Sequence, residues 1–156
     1  PIFVILFAPL IALLWLRLGR RQPSAPMKFA VGLTLVALSF AWMVPAAKLA
    51  AEGRVSPIWL AGLFFLQTIG ELLISPVGLS TMTKLAPARM TGLVLGLWFL
   101  AAAFGNKLAG VLGGTFQAED PAALVNFFAS QALWIAIAAA AMLAVVPWVK
   151  RLSGEH

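Results

Sequence analysis

The 156-residue chain lacks cysteine and has few charged residues. Without cysteine it can form neither a disulfide framework nor a thiolate metal site. The single histidine, His156, is the last residue, so no histidine inside the chain can bind a metal or relay protons. Charged residues make up 10% of the sequence, whereas a typical soluble domain carries about 25%. This shortage of charge excludes an ordinary soluble fold.

Long apolar runs take the place of charge. They are far longer than the roughly 10 residues of a membrane β-strand, and they lack its alternating pattern. Because backbone groups in lipid must be hydrogen-bonded internally, each run is predicted to be a helix. The sequence therefore predicts an all-α integral membrane protein, a single bundle without a separate soluble domain. The five predicted transmembrane helices cover about 1–18, 28–49, 57–83, 90–116 and 122–149.

The lysines and arginines lie mainly in the connections between these runs. If the runs alternate across a membrane, one side of it carries eight of the eleven basic residues. The positive-inside rule places this side, with the C-terminus, in the cytoplasm, and we expect a bacterial inner membrane. The net charge of +6 is thus interpreted as a topology signal, with membrane lipids rather than nucleic acid as the partner. The eight are Arg17, Arg20, Arg21, Lys28, Lys84, Arg89, Lys150 and Arg151.

The start of the chain resembles neither a signal peptide nor a natural N-terminus. It begins inside an apolar run, with no basic segment, no cleavage site and no initiator methionine. Five helices that start on the outer side would also make an unusual complete protein. We therefore interpret the sequence as a piece of a larger one.

A carboxylate interrupts the third apolar run. Glu71 lies near the middle of this run, where an acidic side chain costs about 2.5–3.5 kcal/mol on insertion scales. Gln67, Ser75 and Leu79 follow the same spacing of four, so the four side chains share one helix face over about 12 Å. Ionisable residues inside membrane helices usually have a function. The alternatives are a hydrogen bond to a neighbouring helix or a salt bridge with a buried arginine.

The same helix contains residues that loosen helical structure. Pro76 removes a backbone donor and crowds the carbonyl of Leu72. Together with Gly70 and Gly78, it predicts a bend beside the polar face.

The fourth run combines glycines with a tryptophan. The pairs Gly92 with Gly96 and Gly110 with Gly114 are typical of closely packed membrane helices. Trp98 lies on a stripe of small residues, deeper than an interfacial aromatic belt, which favours the wall of a cavity over a lipid contact. Asn106 lies on the same stripe, and its spacing leaves a binding role and a packing role equally open.

No set of catalytic residues is present. The sequence has no nucleophile paired with a base, no phosphate-binding glycine loop and no paired carboxylates. We therefore expect no enzyme activity, no cofactor and no metal.

Two stretches together resemble a known family. GELLISPVGLSTMTKLAP at 70–87 and GLVLGLWFLAAAFGNKLAG at 92–110 resemble the C-terminal half of the proton-dependent oligopeptide transporters, a branch of the major facilitator superfamily. PIFVILFAPLIALLWLRLG at 1–19 resembles the eighth helix of that family. The resemblance covers nearly the whole chain. It implies helices 8 to 12 of the fold, most of the C-terminal six-helix bundle, with the N-terminal half absent.

The resemblance also implies roles for single residues. Glu71 corresponds to the carboxylate that receives the amine of a bound peptide, and Ser75 to a hydroxyl one turn below it. Trp98 and Phe99 correspond to an aromatic pair on helix 11, of which the tryptophan lines a side-chain pocket, and Asn106 corresponds to the asparagine of the Gly-Asn motif on the same helix. Leu79 corresponds to the intracellular gate, with Pro76 and Gly78 as its hinge. The family's proton-coupling residues belong to the absent half.

The leading hypothesis is therefore proton-coupled symport of di- and tripeptides by alternating access, with protons as the coupling ion. Two alternatives remain open. The protein could be a facilitator for another amine-bearing or cationic small molecule. It could also be a membrane subunit without transport activity, in which Glu71 is an assembly contact.

Overall fold

A computed structural model describes residues 2–50, 52–53, 55–116 and 119–153. His156 and Pro1, the first residue of the first predicted helix, lie outside these residues. In the described part the chain forms five α-helices and a short 3-10 turn, without strands, as the sequence predicts. The elements are α1 Ile2–Leu18, the turn Gly19–Arg21, α2 Ala25–Ala50, α3 Ile58–Leu85, α4 Thr91–Gly113 and α5 Pro121–Ser153.

Four of the helices are long and apolar enough to cross a membrane. These are α2, α3, α4 and α5, and each exceeds the roughly 20 residues that a bilayer core requires. The first helix is also apolar, at 17 residues. The chain is an integral membrane protein.

Three helix ends differ from the sequence prediction by three residues or more, and the others agree within two residues. The second helix begins at Ala25 instead of residue 28, because a proline such as Pro26 is well tolerated in a first helical turn. The fourth helix ends at Gly113 instead of residue 116. There the N–H of Gly114 still donates to the carbonyl of Gly110 at 3.1 Å, but the N–H groups of Thr115 and Phe116 donate to carbonyls only three residues back, so the α-helical pattern ends. The fifth helix continues through Pro147 to Ser153 instead of ending at residue 149.

The helices pack in a simple order. The second helix lies between α3 and α5, and α3 in turn contacts α1 and α4. Phe128 on α5 packs against Ala47 and Phe40 of α2, within a small apolar core. Neither α1 nor α4 has a buried residue. The best-packed part of the bundle is thus formed by α5, α2 and α3. The helices α1 and α4 pack against α3.

Two glycines bring the backbones of α2 and α3 together. A Cβ atom on Gly70 would lie 2.8 Å from the carbonyl oxygen of Gly32 and 2.8 Å from the side chain of Val36. A Cβ atom on Gly32 would meet Ile74 at 2.6 Å. Since real Cβ atoms do not approach so closely, only glycine fits at both positions. This contact fixes the rotation of α3 about its axis.

We expect Gly70→Ala to destabilise the protein more than Gly96→Ala does. Both changes replace a helical glycine, so they gain the same helix propensity. Gly96 has no atom within 4 Å of an added Cβ, whereas Gly70 must move α2 or α3. The difference should be about 1–3 kcal/mol. It can be measured as thermal unfolding in detergent, and equal melting temperatures for the two variants would contradict the proposed contact.

Candidate functional site

The only acidic residue within the five helices is Glu71. It lies at the middle of the 28-residue helix α3, and its side chain is exposed. Within the described ranges, no side chain donates a hydrogen bond to its carboxylate and no cation pairs with it. Among the residues described, Glu71 therefore forms neither of the two alternative contacts, a hydrogen bond to a neighbouring helix or a salt bridge with an arginine.

The contacts of α3 show which way this carboxylate points. Gly70 faces α2, Gly78 faces α4, and the ring of Phe65 meets the rings of Phe3 and Phe7 on α1 at 6.1 and 5.2 Å. At about 100° per residue, Glu71 lies roughly 20° beyond Gly78, and Phe65 lies roughly 120° beyond Glu71. The carboxylate therefore lies in the sector of α3 that is left open between α4 and α1.

Two other predicted residues share this open sector of α3, which comprises Glu71, Ser75 and Leu79. Ser75 is exposed, and Leu79 is 39% exposed. Gln67 lies at the edge of the sector toward α2 and is half-buried. The spacing of four thus places a carboxylate, a hydroxyl and an apolar side chain on one open face.

The predicted hinge residues lie within a continuous helix. Pro76 is exposed, and α3 runs without interruption from Ile58 to Leu85. Gly78 is buried because the ring of Trp98 rests on its backbone. The three predicted gate and hinge residues therefore differ in their surroundings. Pro76 and Leu79 are exposed, whereas Gly78 is buried in a contact between helices.

Trp98 is partly buried and reaches α3 from α4. Its ring packs on Gly78, two helical turns below Glu71, and meets the edge of Phe29 from α2. Phe99 is 62% exposed and Asn106 is exposed. In the described part of the chain, no hydrogen bond or ring contact joins either of these two to the open sector.

Sequence reasoning missed Phe29 and the glycines at which the described helices meet. Phe29 is one of eleven phenylalanines, and nothing in the local sequence distinguishes it. An added Cβ at Gly92, Gly96 or Gly110 would have no atom of the described residues within 4 Å, so the close packing predicted for the pairs of α4 stays a prediction. The close contacts between described helices occur at Gly32, Gly62, Gly70 and Gly78, which lack the four-residue glycine spacing.

The candidate site has one charged group, Glu71, and its described residues show no set of metal ligands. Among the residues that the structure covers, no three His, Cys, Asp or Glu side chains group to hold an ion. Lys28, at the start of α2, is 9% exposed and is the most deeply buried cation among the side chains that the structure describes. Its ammonium donates to Oε1 of Gln22 at 2.6 Å and stands 4.2 Å from the centre of the Trp15 ring. It therefore links α1 and α2.

Comparisons with known proteins agree on one family. The POT family model matches residues 1–135. The peptide transporter YePEPT of Yersinia enterocolitica is 42% identical over 156 residues, covering 97% of this chain and 30% of the relative. The di-/tripeptide transporter of Lactococcus lactis (strain IL1403) is 37% identical over 156 residues, covering 99% of this chain and 31% of the relative.

A solved structure shows the same fold. A crystal structure of the peptide transporter POT in complex with sulfate superposes with a TM-score of 0.87 at 38% identity, covering 97% of this chain and 30% of that one. The predicted fold class is thereby confirmed as five helices of a major facilitator fold. The chain spans about 30% of the length of the relatives it matches.

We expect a cysteine at Ser75 to react with a water-soluble maleimide at least about tenfold faster than a cysteine at Ile137. Both positions are exposed within the chain, but Ser75 lies beside Glu71 and Ile137 lies on an apolar face of α5. A charged side chain at membrane depth requires water or a polar partner, and lipid supplies neither. The measurement is labelling of the two single-cysteine variants in membranes, and similar rates would show that the open sector faces lipid.

Proposed function

We propose, because this chain belongs to the POT family of transporters, that it forms the C-terminal part of a transporter for di- and tripeptides. Two relatives are named for peptides and for di- and tripeptides. The chain spans about 30% of their length, so the rest of the substrate site belongs to the remainder of the protein. The observation that carries the proposal is a carboxylate on an open helix face at the middle of α3.

In this proposal Glu71 receives the N-terminal amine of the peptide. A peptide is a zwitterion, and its ammonium needs an anionic partner once it leaves water. Glu71 has no partner among the described residues, so its oxygens are available as acceptors. A site at the middle of a membrane helix, open toward a second helical bundle, is where transporters of this architecture bind their substrates.

The neighbouring residues have secondary roles. Ser75 extends the polar face by one turn and is proposed to hydrogen-bond the peptide, as is Gln67 on the other side of Glu71. Trp98 and Phe99 are proposed to border the peptide side chains. Asn106 is proposed to bind from the outer half of α4, although no contact within the described residues joins it to Glu71.

We further propose that transport is symport with protons and proceeds by alternating access. The two parts of the transporter would rock around the site, while α3 bends at Pro76 and Gly78 so that Leu79 opens the cytoplasmic side.

The basic connections support an inner-membrane location with a cytoplasmic C-terminus. A green fluorescent protein fused after His156 should then fluoresce, which a C-terminus on the outer side would prevent.

The central test uses the full-length transporter in liposomes with an inward proton gradient. We expect the wild type to accumulate dialanine and Glu71→Gln to lose at least about 90% of that uptake, because an amide cannot neutralise the peptide ammonium. Glu119→Gln is the matched control, since Glu119 is exposed in the connection between α4 and α5. It should transport normally.

Each other outcome favours a different function. Wild-type protein that transports another amine but no dialanine would favour a facilitator for a different substrate. Undiminished dialanine uptake by Glu71→Gln would show that Glu71 does not bind the peptide amine. Loss of assembly in Glu71→Gln, together with no uptake of any amine by the wild type, would favour the assembly subunit.

Bending of α3 at Pro76 can be tested separately from substrate binding. Pro76→Ala restores a backbone donor and should stiffen α3. We expect the maximal rate of uptake to fall about threefold or more, with little change in the dialanine concentration that gives half-maximal uptake. Initial rates over a range of dialanine concentrations measure both values. An unchanged maximal rate would exclude bending at Pro76 from the slow step.

A further inference from the structure

The side chain of Phe29 joins two helices whose backbones do not pack against each other. Among the described residues, the backbone of α2 lies close to those of α3 and α5, whereas the backbone of α4 lies close to that of α3 alone. Phe29 of α2 nevertheless reaches Trp98 of α4, with ring centroids 6.4 Å apart and planes at 89°. This is the edge-to-face geometry that aromatic pairs favour.

Both rings lie over the same glycine. A Cβ atom on Gly78 would lie 2.7 Å from Cζ of Phe29, and it would also overlap the ring of Trp98. The missing side chain at Gly78 therefore makes the space in which the two rings meet. Phe29 bounds this space from α2, and the backbone of α3 forms its floor.

Among the described residues, α4 is loosely packed around Trp98. Its helix contains no buried residue, and an added Cβ at Gly92, Gly96 or Gly105 would have no atom within 4 Å. The orientation of the Trp98 ring thus depends on Gly78 below it and Phe29 beside it. Removing the edge of Phe29 would allow the indole to turn.

The ring lies within reach of a bound peptide. Gly78 follows Glu71 by seven residues, which is about 10 Å along the axis and nearly the same helix face. An extended dipeptide spans about 7 Å, and its side chains extend further. A peptide whose amine is held by Glu71 would therefore place a side chain near Trp98.

We infer that Phe29 is a positioning residue that sets the peptide side-chain preference by holding the Trp98 ring against Gly78. Phe29 itself does not touch the peptide, and the peptide binds at Glu71 with or without it. The inference rests on the proposed function, because it requires Trp98 to border a peptide. It assigns α2, a helix outside the substrate site, a role in specificity.

The test compares two peptides in liposomes that contain the full-length transporter. The measured quantity is the ratio of the concentrations of dialanine and alanyl-tryptophan that halve the uptake of labelled dialanine. We expect Phe29→Leu to change this ratio about threefold or more, as expected for the loss of one aromatic edge contact. Phe29→Tyr keeps the ring and should keep the ratio. Phe40→Leu, on the same helix but against Phe128 of α5, is the matched control and should also keep it.

A positioning role must act through Trp98. In a Trp98→Leu background, Phe29→Leu should therefore have no further effect on the ratio. Gly78→Ala is a second, independent variant, because its added methyl enters the space of both rings. It should also change the ratio, and it tests the inference even if Phe29→Leu folds poorly.

The possible results separate this inference from the proposed function. Dialanine uptake by the wild type with an unchanged ratio in both Phe29→Leu and Gly78→Ala would overturn the role of Phe29 alone. An equal change in Phe40→Leu, or an effect of Phe29→Leu that persists without Trp98, would overturn it as well. A wild type that does not take up dialanine would overturn the proposed function and this inference together.

Discussion

The close backbone contact between Gly32 and Gly70 fixes the rotation of α3, and the functional account depends on that rotation. With Gly70 directed at α2, Gly78 faces α4 and Phe65 faces α1. The carboxylate of Glu71 is then left in the open sector between Gly78 and Phe65, which α4 and α1 flank without covering. A rotation of α3 by about 100°, one residue, would turn Glu71 into α2 and leave a buried charge without a partner.

The helices and the polar face could be predicted from the sequence for simple physical reasons. A backbone in lipid has only itself as a hydrogen-bond partner, so each long apolar run becomes a helix. Side chains four residues apart share a helix face, so Glu71, Ser75 and Leu79 had to lie together. Helix ends were less accurate, since a terminal turn at Ala25 or Gly113 changes the free energy only slightly.

Contacts between helices could not be predicted in the same way. A glycine permits close approach, but the partner decides whether the approach occurs, and the pair at Gly92 and Gly96 has none among the residues described. The contact of Phe29 with Trp98 joins residues on helices α2 and α4, and no periodic pattern marks it. The polar face is therefore encoded locally, whereas the aromatic contact beside it is defined only by the packed helices.

The central claim is that Glu71 binds the amine of a peptide. Its most direct test is the affinity of the purified full-length transporter for dialanine and for N-acetyl-dialanine, in the wild type and in Glu71→Gln. The account predicts that acetylation weakens binding to the wild type about tenfold or more, as expected for loss of a charged hydrogen bond, and has little effect on the variant. An equal effect of acetylation on both proteins would contradict it.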